Sequence, residues 1–193
     1  MKIRPRPTSR HPGLAALCHA GIRRADGASA IEFALVAPIF LLILVAMIDF
    51  GMVLYTRFNL SQGLSASANY AMVSAANASS SNGAALAASL SAIIPARFDA
   101  TVVVNNGPQS QRTSGTTVAS GTVSNADLCY CPVLSGTSLA WGSATTCASS
   151  CSGGGLAGKF VSITGSIAVT PFFGSYGLVQ NGTISVSTVV QVQ

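Results

Sequence analysis

Charge is what this sequence has least of. Only 8% of its 193 residues are Asp, Glu, Lys or Arg, against about 25% in a typical soluble domain, so an ordinary water-facing surface over the whole chain is excluded. Histidine is confined to His11 and His19. A Ser-His-Asp or Cys-His arrangement therefore cannot be assembled from the residues that follow. Past Asp49 the acids are Asp99 and Asp127, and paired-carboxylate chemistry would need those two to meet, with nothing else pointing there. "GGGLAGK" at 153–159 lacks the spacing of a phosphate loop, because Phe160 follows Lys159, and reads as a turn before a strand. No enzyme activity, cofactor, metal or small-molecule substrate is expected. Aromatic residues are absent from 1–30, and Pro5, Pro7 and Pro12 interrupt that basic stretch, which argues against a nucleic-acid-binding arm.

The charge that is present is unevenly placed. Lys2, Arg4, Arg6, Arg10, Arg23 and Arg24 form a basic leader, whereas the chain from Ala25 onward holds four basic and five acidic residues. A long apolar run follows the leader: Phe33 to Ile48 is uncharged, and apolar character resumes from Phe50 to Tyr55. As a helix, Phe33–Tyr55 reaches roughly 34 Å, enough to cross the hydrocarbon core with modest tilt. Basic residues are retained on the cytoplasmic side, which places the N-terminus inside and the C-terminus outside. Tyr55 and Arg57 suit the far interface. A cleaved secretory signal has the same order of parts, but its apolar region is shorter, and "ASA" at 28–30 lies on the wrong side of this one.

Two carboxylates interrupt the run near its ends, Glu32 and Asp49. A carboxylate at the centre of a membrane helix costs about 2.5–3.5 kcal/mol on insertion scales and less near an end, so both could simply reach for head groups. The surroundings of Glu32 point elsewhere. "RRADG" ends at Gly27, and cleavage after it would make Ala28 the new N-terminus with Glu32 as residue five. A free amino group would then lie one helical turn from the carboxylate, and a salt bridge within the chain or to a neighbour would offset the burial of both charges. This arrangement resembles the prepilin-peptidase site of type IV pilins and pseudopilins: a basic leader ending in Gly, four residues, then Glu in an apolar helix. The longer stretch "GASAIEFALVAPIFLLILVAMIDFGMVLY" resembles the TadE-like family of minor pseudopilins. Phe33 stands where the tight-adherence branch typically has Tyr, and Asp49 where the TadE-like family usually has Glu. The resemblance covers about Gly27–Ala76. It implies processing between Gly27 and Ala28 by a membrane aspartic peptidase, and roles in assembly or recognition for Glu32, Phe33, Asp49, Phe50 and Gly51. It also implies partners among other pilins or pseudopilins and the Tad secretion platform. Pro38 inside the span is tolerated in membrane helices and predicts a kink.

Beyond Tyr55 the apolar stripe continues through Leu60, Leu64, Ala68, Ala71 and Ala75, which predicts one helix from about Ser29 to Ala76 whose last third lies outside the bilayer. "NASSSNG" at 77–83 ends it. A short second helix is expected over Ala84–Ile94, stopped by Pro95, with a loose linker as the alternative. From Phe98 the pattern turns β-branched: "FDATVVV", "KFVSITGSIAVT" and "TISVSTVVQV" read as strands, with "TTVASGTVS" at 116–124 a weaker candidate. Cys18 falls in the leader, and Cys129, Cys131, Cys147 and Cys151 fall on the exported side, where oxidation is favoured. The x₁ spacing of the first pair is a poor match to a zinc site. Disulfides are expected, with three connectivities open and adjacent closure of Cys129–Cys131 strained. Trp141, between the pairs, either packs locally or stands as an exposed contact.

The expected fold is α+β: a long N-terminal transmembrane helix continuing outside the membrane, a short second helix, then a small antiparallel sheet with a disulfide-bearing loop. The expected segments are a cytoplasmic leader over 1–27, a transmembrane helix over 28–57, an extramembrane helical segment over 58–97 and an exported β-rich domain over 98–193. Two functions fit. One is a minor pseudopilin-like protein of the bacterial inner membrane, single-pass, acting in Flp/Tad-type pilus assembly. The other is a membrane-anchored exported binding or adhesin domain with no part in pili. The Gly27/Glu32 spacing separates them, because a plain anchor has no use for a carboxylate at that offset.

Overall fold

A computed structural model of the chain describes residues 26–135, 138–174 and 176–193. The leader reading, including Cys18, lies outside the described residues up to Asp26. The chain divides into two compact units, Met1–Val45 and Ala46–Gln193, each taken by itself below.

In the first unit the described residues belong to α1, the helix Asp26–Val73. Ile31, Phe33, Leu35, Val36, Ile39 and Phe40 are all exposed, and the most apolar window of the helix has a mean hydropathy of 2.7 with none of it buried. A helix that is apolar all round is stable in lipid, where every backbone group is paired internally. The described helix starts three residues before the expected Ser29 and runs through Gly27 and Ala28.

The second unit contains the rest of α1 and a helix-on-sheet fold. Here α1 has one buried face, made by Val53, Leu60, Leu64, Ser67, Ala68 and Ala71, the i, i+3, i+4 spacing of a core-facing stripe. The helix ends at Val73, and a 3-10 turn over Ala75–Asn77 takes the place of its expected last residues. The short helix α2 covers Gly83–Ile93, with Leu86, Ala87 and Leu90 buried. Small residues bring the two helices together: a Cβ on Gly63 would stand 2.9 Å from Pro95 Cδ, and the buried Ser67 hydroxyl donates to Leu90 O at 3.0 Å.

Both pack on an antiparallel five-stranded sheet of order β3-β2-β1-β6-β7. Its strands are β1 (Asp99–Val104), β2 (Gln109–Thr113), β3 (Thr116–Ser120), β6 (Phe160–Ala168) and β7 (Thr183–Gln191). A second small hairpin pairs β4 (Val133–Ser135) with β5 (Ser138–Ala140). Alternation aims Ala100, Val102 and Val104 of β1 and Val161 and Ile163 of β6 into the core. Gly165 continues that row in β6, and a Cβ there would stand 2.5 Å from Leu60 Cδ1 and 2.9 Å from Leu64 Cδ1. The missing side chain is what lets α1 lie against the sheet. All four expected strands are present, whereas β2 and the β4–β5 hairpin are additional.

Two polar residues fasten the core. Arg112, on β2, is buried at 8% exposure. Its guanidinium donates to the carbonyls of Ser91 at 2.7 Å, Ile94 at 2.8 Å, Pro95 at 3.1 Å and Phe98 at 3.1 Å. It thus satisfies the carbonyls left open where α2 ends, at the negative end of that helix's dipole. Asn105 is fully buried with φ of 49°. Its amide donates to the carbonyls of Asn125, Ala126 and Leu128, and its side-chain oxygen accepts from the Phe160 N–H at 3.2 Å. Among the described residues every buried side-chain nitrogen and oxygen has a partner.

Between β3 and β6 lies the disulfide-bearing loop. Cys129 pairs with Cys147 and Cys131 with Cys151, in an interlocked order. Trp141 packs locally, edge-on to the buried Tyr130 ring at 5.9 Å.

Candidate functional site

The residues singled out by sequence divide between the two units. In the first, Gly27 and Ala28 lie in the opening turn of α1. Glu32 lies four residues beyond Ala28, one helical turn along α1. Glu32 is exposed, as is Phe33 at 73%. The neighbourhood of Glu32 is therefore apolar helix surface with a lone carboxylate on it.

In the second unit, Asp49 has a different setting. It is buried at 6% exposure, and its carboxylate is held by the loop between β6 and β7. One oxygen, Oδ2, accepts from the backbone N–H of Phe172 at 3.0 Å, the N–H of Phe173 at 3.3 Å and the Tyr176 hydroxyl at 2.8 Å. The Tyr176 hydroxyl is pushed above its ordinary pKa by burial and by the adjacent Asp49 carboxylate, which keeps it a donor. Next to Asp49, the Phe50 ring meets Tyr176 edge-on at 5.2 Å. Gly51 faces open space. The structure thus brings Asp49 and Phe50 together on one loop and leaves Gly51 outside that contact.

The partner residues Phe172, Phe173 and Tyr176 were not singled out from the sequence. The available signal is "PFFGSY" at 171–176, three aromatics in six residues of a chain that is 7% aromatic. A shallow groove of about 200 Å³ runs beside the contact, lined by Met52, Val53, Thr56, Val169 and Phe172.

The other acids have separate structural tasks. Asp99 accepts from the Ser114 N–H at 2.8 Å, and Asp127 accepts from the Ser80 N–H at 3.0 Å. The Ser80 side chain and N–H, helped by Lys159, hold the Asp127 carboxyl below the usual carboxylate range. Lys159, from the glycine-rich stretch, donates to Ala78 O at 3.1 Å. Cys129, Cys131, Cys147 and Cys151 are all taken up in disulfides.

Residues 27–69 match the family model described as TadE-like protein. No curated protein and no solved structure matches the chain. The match begins at the Gly27–Ala28 bond and lies within α1, the helix long and apolar enough to cross a membrane. It spans the residues on which the resemblance to TadE-like proteins rests, Gly27 through Gly51, and stops before the second helix and the sheet.

Proposed function

We propose that this protein is a minor pseudopilin-like component of a Flp/Tad-type pilus system. It would be made with its basic leader in the cytoplasm, held by α1 in the inner membrane, and processed between Gly27 and Ala28 by a prepilin peptidase. The helix-on-sheet unit would then stand on the exported side, with other pilins or pseudopilins and the Tad secretion platform as partners. The observation that carries this reading is the coincidence at one helix start: the TadE-like match opens at residue 27, and Glu32 stands one turn beyond Ala28 on an apolar helix. A helix needed only as an anchor would be better served by Leu at position 32.

In the processed chain the α-amino group of Ala28 is the cation nearest Glu32 in sequence. In a low-dielectric surrounding such a pair, within one chain or between neighbours, would orient the start of one helix against another. The test is intact-mass and N-terminal sequence analysis of the protein from its native membrane, with and without the peptidase. A mature chain starting at Ala28 only when the peptidase is present is the expected result. Full-length chain in wild-type membranes removes the pseudopilin reading and leaves the anchored binding domain.

A further inference from the structure

The loop that holds Asp49 also fixes where the membrane must end. A span over Phe33–Tyr55 would place Asp49 inside the hydrocarbon, and its hydrogen bonds would draw the loop 171–176 in with it. Irregular backbone facing lipid does not occur at that depth, because its polar groups would be unpaired. A span over Ala28–Ile48 removes the conflict. It is about 32 Å long as a helix, close to the thickness of the hydrocarbon core. Asp49 then sits at the outer boundary, and Glu32 lies about 6 Å inside the inner one.

At that outer boundary the loop presents an apolar tip. Phe172 is 83% exposed and Phe173 47% exposed, and Met52 beside them on α1 is 57% exposed. From Thr170 to Gly182 there is no charged residue. Phe rings held out at the end of an apolar span, on a loop that carries no charged residue of its own, fit the acyl and head-group boundary of a bilayer. The Phe172 and Phe173 N–H groups point to the same place, since near lipid each needs a protein acceptor and Asp49 supplies it.

We propose that the tip of the β6–β7 loop, Phe172 and Phe173, is a second membrane contact that inserts into the outer interface of the bilayer and is positioned there by Asp49. The exported unit is thereby held at the membrane surface by two points, the end of the span and the loop. This rests on the membrane-spanning part of the function proposed above and not on its pilus part.

The test uses the full chain in vesicles of phosphatidylethanolamine and phosphatidylglycerol carrying brominated acyl chains. Trp141, the protein's one tryptophan, is replaced by Phe, and a reporter is introduced as Phe172→Trp or, for comparison, Phe40→Trp. The expected result is blue-shifted emission from position 172, quenched more by bromine near the head groups than by bromine near the chain ends, with the reverse order at position 40. Asp49→Ala should at least halve the quenching at 172 and leave that at 40 unchanged. Emission at 172 that stays water-like, or is blue-shifted but unquenched by any lipid, while position 40 is quenched, overturns the proposal; the second of these outcomes means that protein, not lipid, covers the loop. Quenching at 172 that Asp49→Ala leaves intact overturns the positioning role of Asp49. Loss of quenching at both reporters rejects the span itself, which is a different failure.

Discussion

Between Ile31 and Leu42 the large apolar side chains of α1 are each more than half exposed, whereas Val53, Leu60, Leu64 and Ala71 of the same helix are at most 5% exposed. Backbone geometry is common to the two stretches, so helix formation cannot be what distinguishes them. The earlier stretch is apolar on every side, and lipid is a surrounding that satisfies that demand. The later stretch alternates an apolar stripe with Ser, Gln and Asn, and a sheet fills the stripe. Composition therefore sets which partner each stretch of one helix needs. Disturbances of the helix-on-sheet unit should leave the apolar stretch in the membrane, and changes at the start of α1 should leave the helix-on-sheet unit folded.

Arg112→Leu should break the comparison most strongly. Four backbone carbonyls at and just beyond the end of α2 share this guanidinium, and the apolar replacement takes this donor from all of them, leaving only Pro95 O with the Phe98 N–H. The expected loss is on the order of 3–5 kcal/mol, a large part of the stability of a domain that has about 5–15 kcal/mol in all. Urea unfolding of the detergent-solubilised chain measures it. Resistance of the variant to alkaline extraction from membranes should match wild type. If extraction rises in step with unfolding, the two stretches are not independent.

Disulfide removal comes next. Each bridge closes a loop, with sequence separations of 18 and 20. Replacing Cys129 and Cys147 by Ser should cost about 2–4 kcal/mol, chiefly through the unfolded chain. The thiol count sharpens the contrast. The chain has five cysteines, of which four are paired and one, Cys18, precedes Gly27. Unprocessed protein should therefore label at one thiol under denaturing, non-reducing conditions, and protein processed after Gly27 at none. Labelling at Cys129, Cys131, Cys147 and Cys151 would reject the pairing.

How far the fold could be read depended on whether an element announced itself through apolar periodicity. The strands β1, β6 and β7 did, through runs such as "DATVVV", and so did the stripe Leu60, Leu64, Ala68 of α1. The strand β2, "QSQRT", did not: its inward positions are Ser110 and Arg112, and a buried guanidinium serving helix carbonyls looks in sequence like a surface residue. The turn formers at 77–83 placed the end of α1 near Ala76, but the Ala/Ser-rich stretch before them is already outside the helix, which ends at Val73 and gives way to a 3-10 turn at Ala75. At the candidate site, Glu32 drew attention through its spacing from Gly27. The partners of Asp49 did not, since 123 or more residues separate them from it, and no local pattern encodes such a contact. Cysteine pairing was closed to sequence for the same reason, as three connectivities share one spacing.

Asp127 gives a smaller, pH-dependent effect within the helix-on-sheet unit. Ser80 holds its carboxyl below the ordinary range in the folded state. A carboxyl depressed on folding adds stability that is fully present above its unfolded-state value and is lost as pH falls through its lowered native value. Wild type should therefore exceed Asp127→Ala in urea midpoint at neutral pH, and the gap should close in acid. The carboxylate is exposed, so the gap will be small, and a gap that widens in acid would contradict the assignment.

Glu32 should have the smallest effect on folding and the sharpest effect on function. It stands on the exposed face of the first unit, outside the core of the second, so neither Glu32→Gln nor Glu32→Leu should move the urea midpoint of the second unit. Both should also leave insertion and orientation unchanged, because the basic residues from Lys2 to Arg24 set those, and Leu should insert better than Glu. What both remove is the charge that, in the processed chain proposed above, would meet the α-amino group of Ala28, on its own chain or a neighbour's. Co-purification with other pilus-system subunits and the number of pili displayed should then fall in both variants, with Gln no better than Leu, since charge and not shape is the missing element. Because Glu32 stands close to the proposed Gly27–Ala28 cleavage bond, cleavage has to be measured in the same cells. Variants that are cleaved normally, folded normally and still support wild-type pilus numbers would show the carboxylate to be a bystander reaching for head groups, and the helix to be an anchor for the unit it carries.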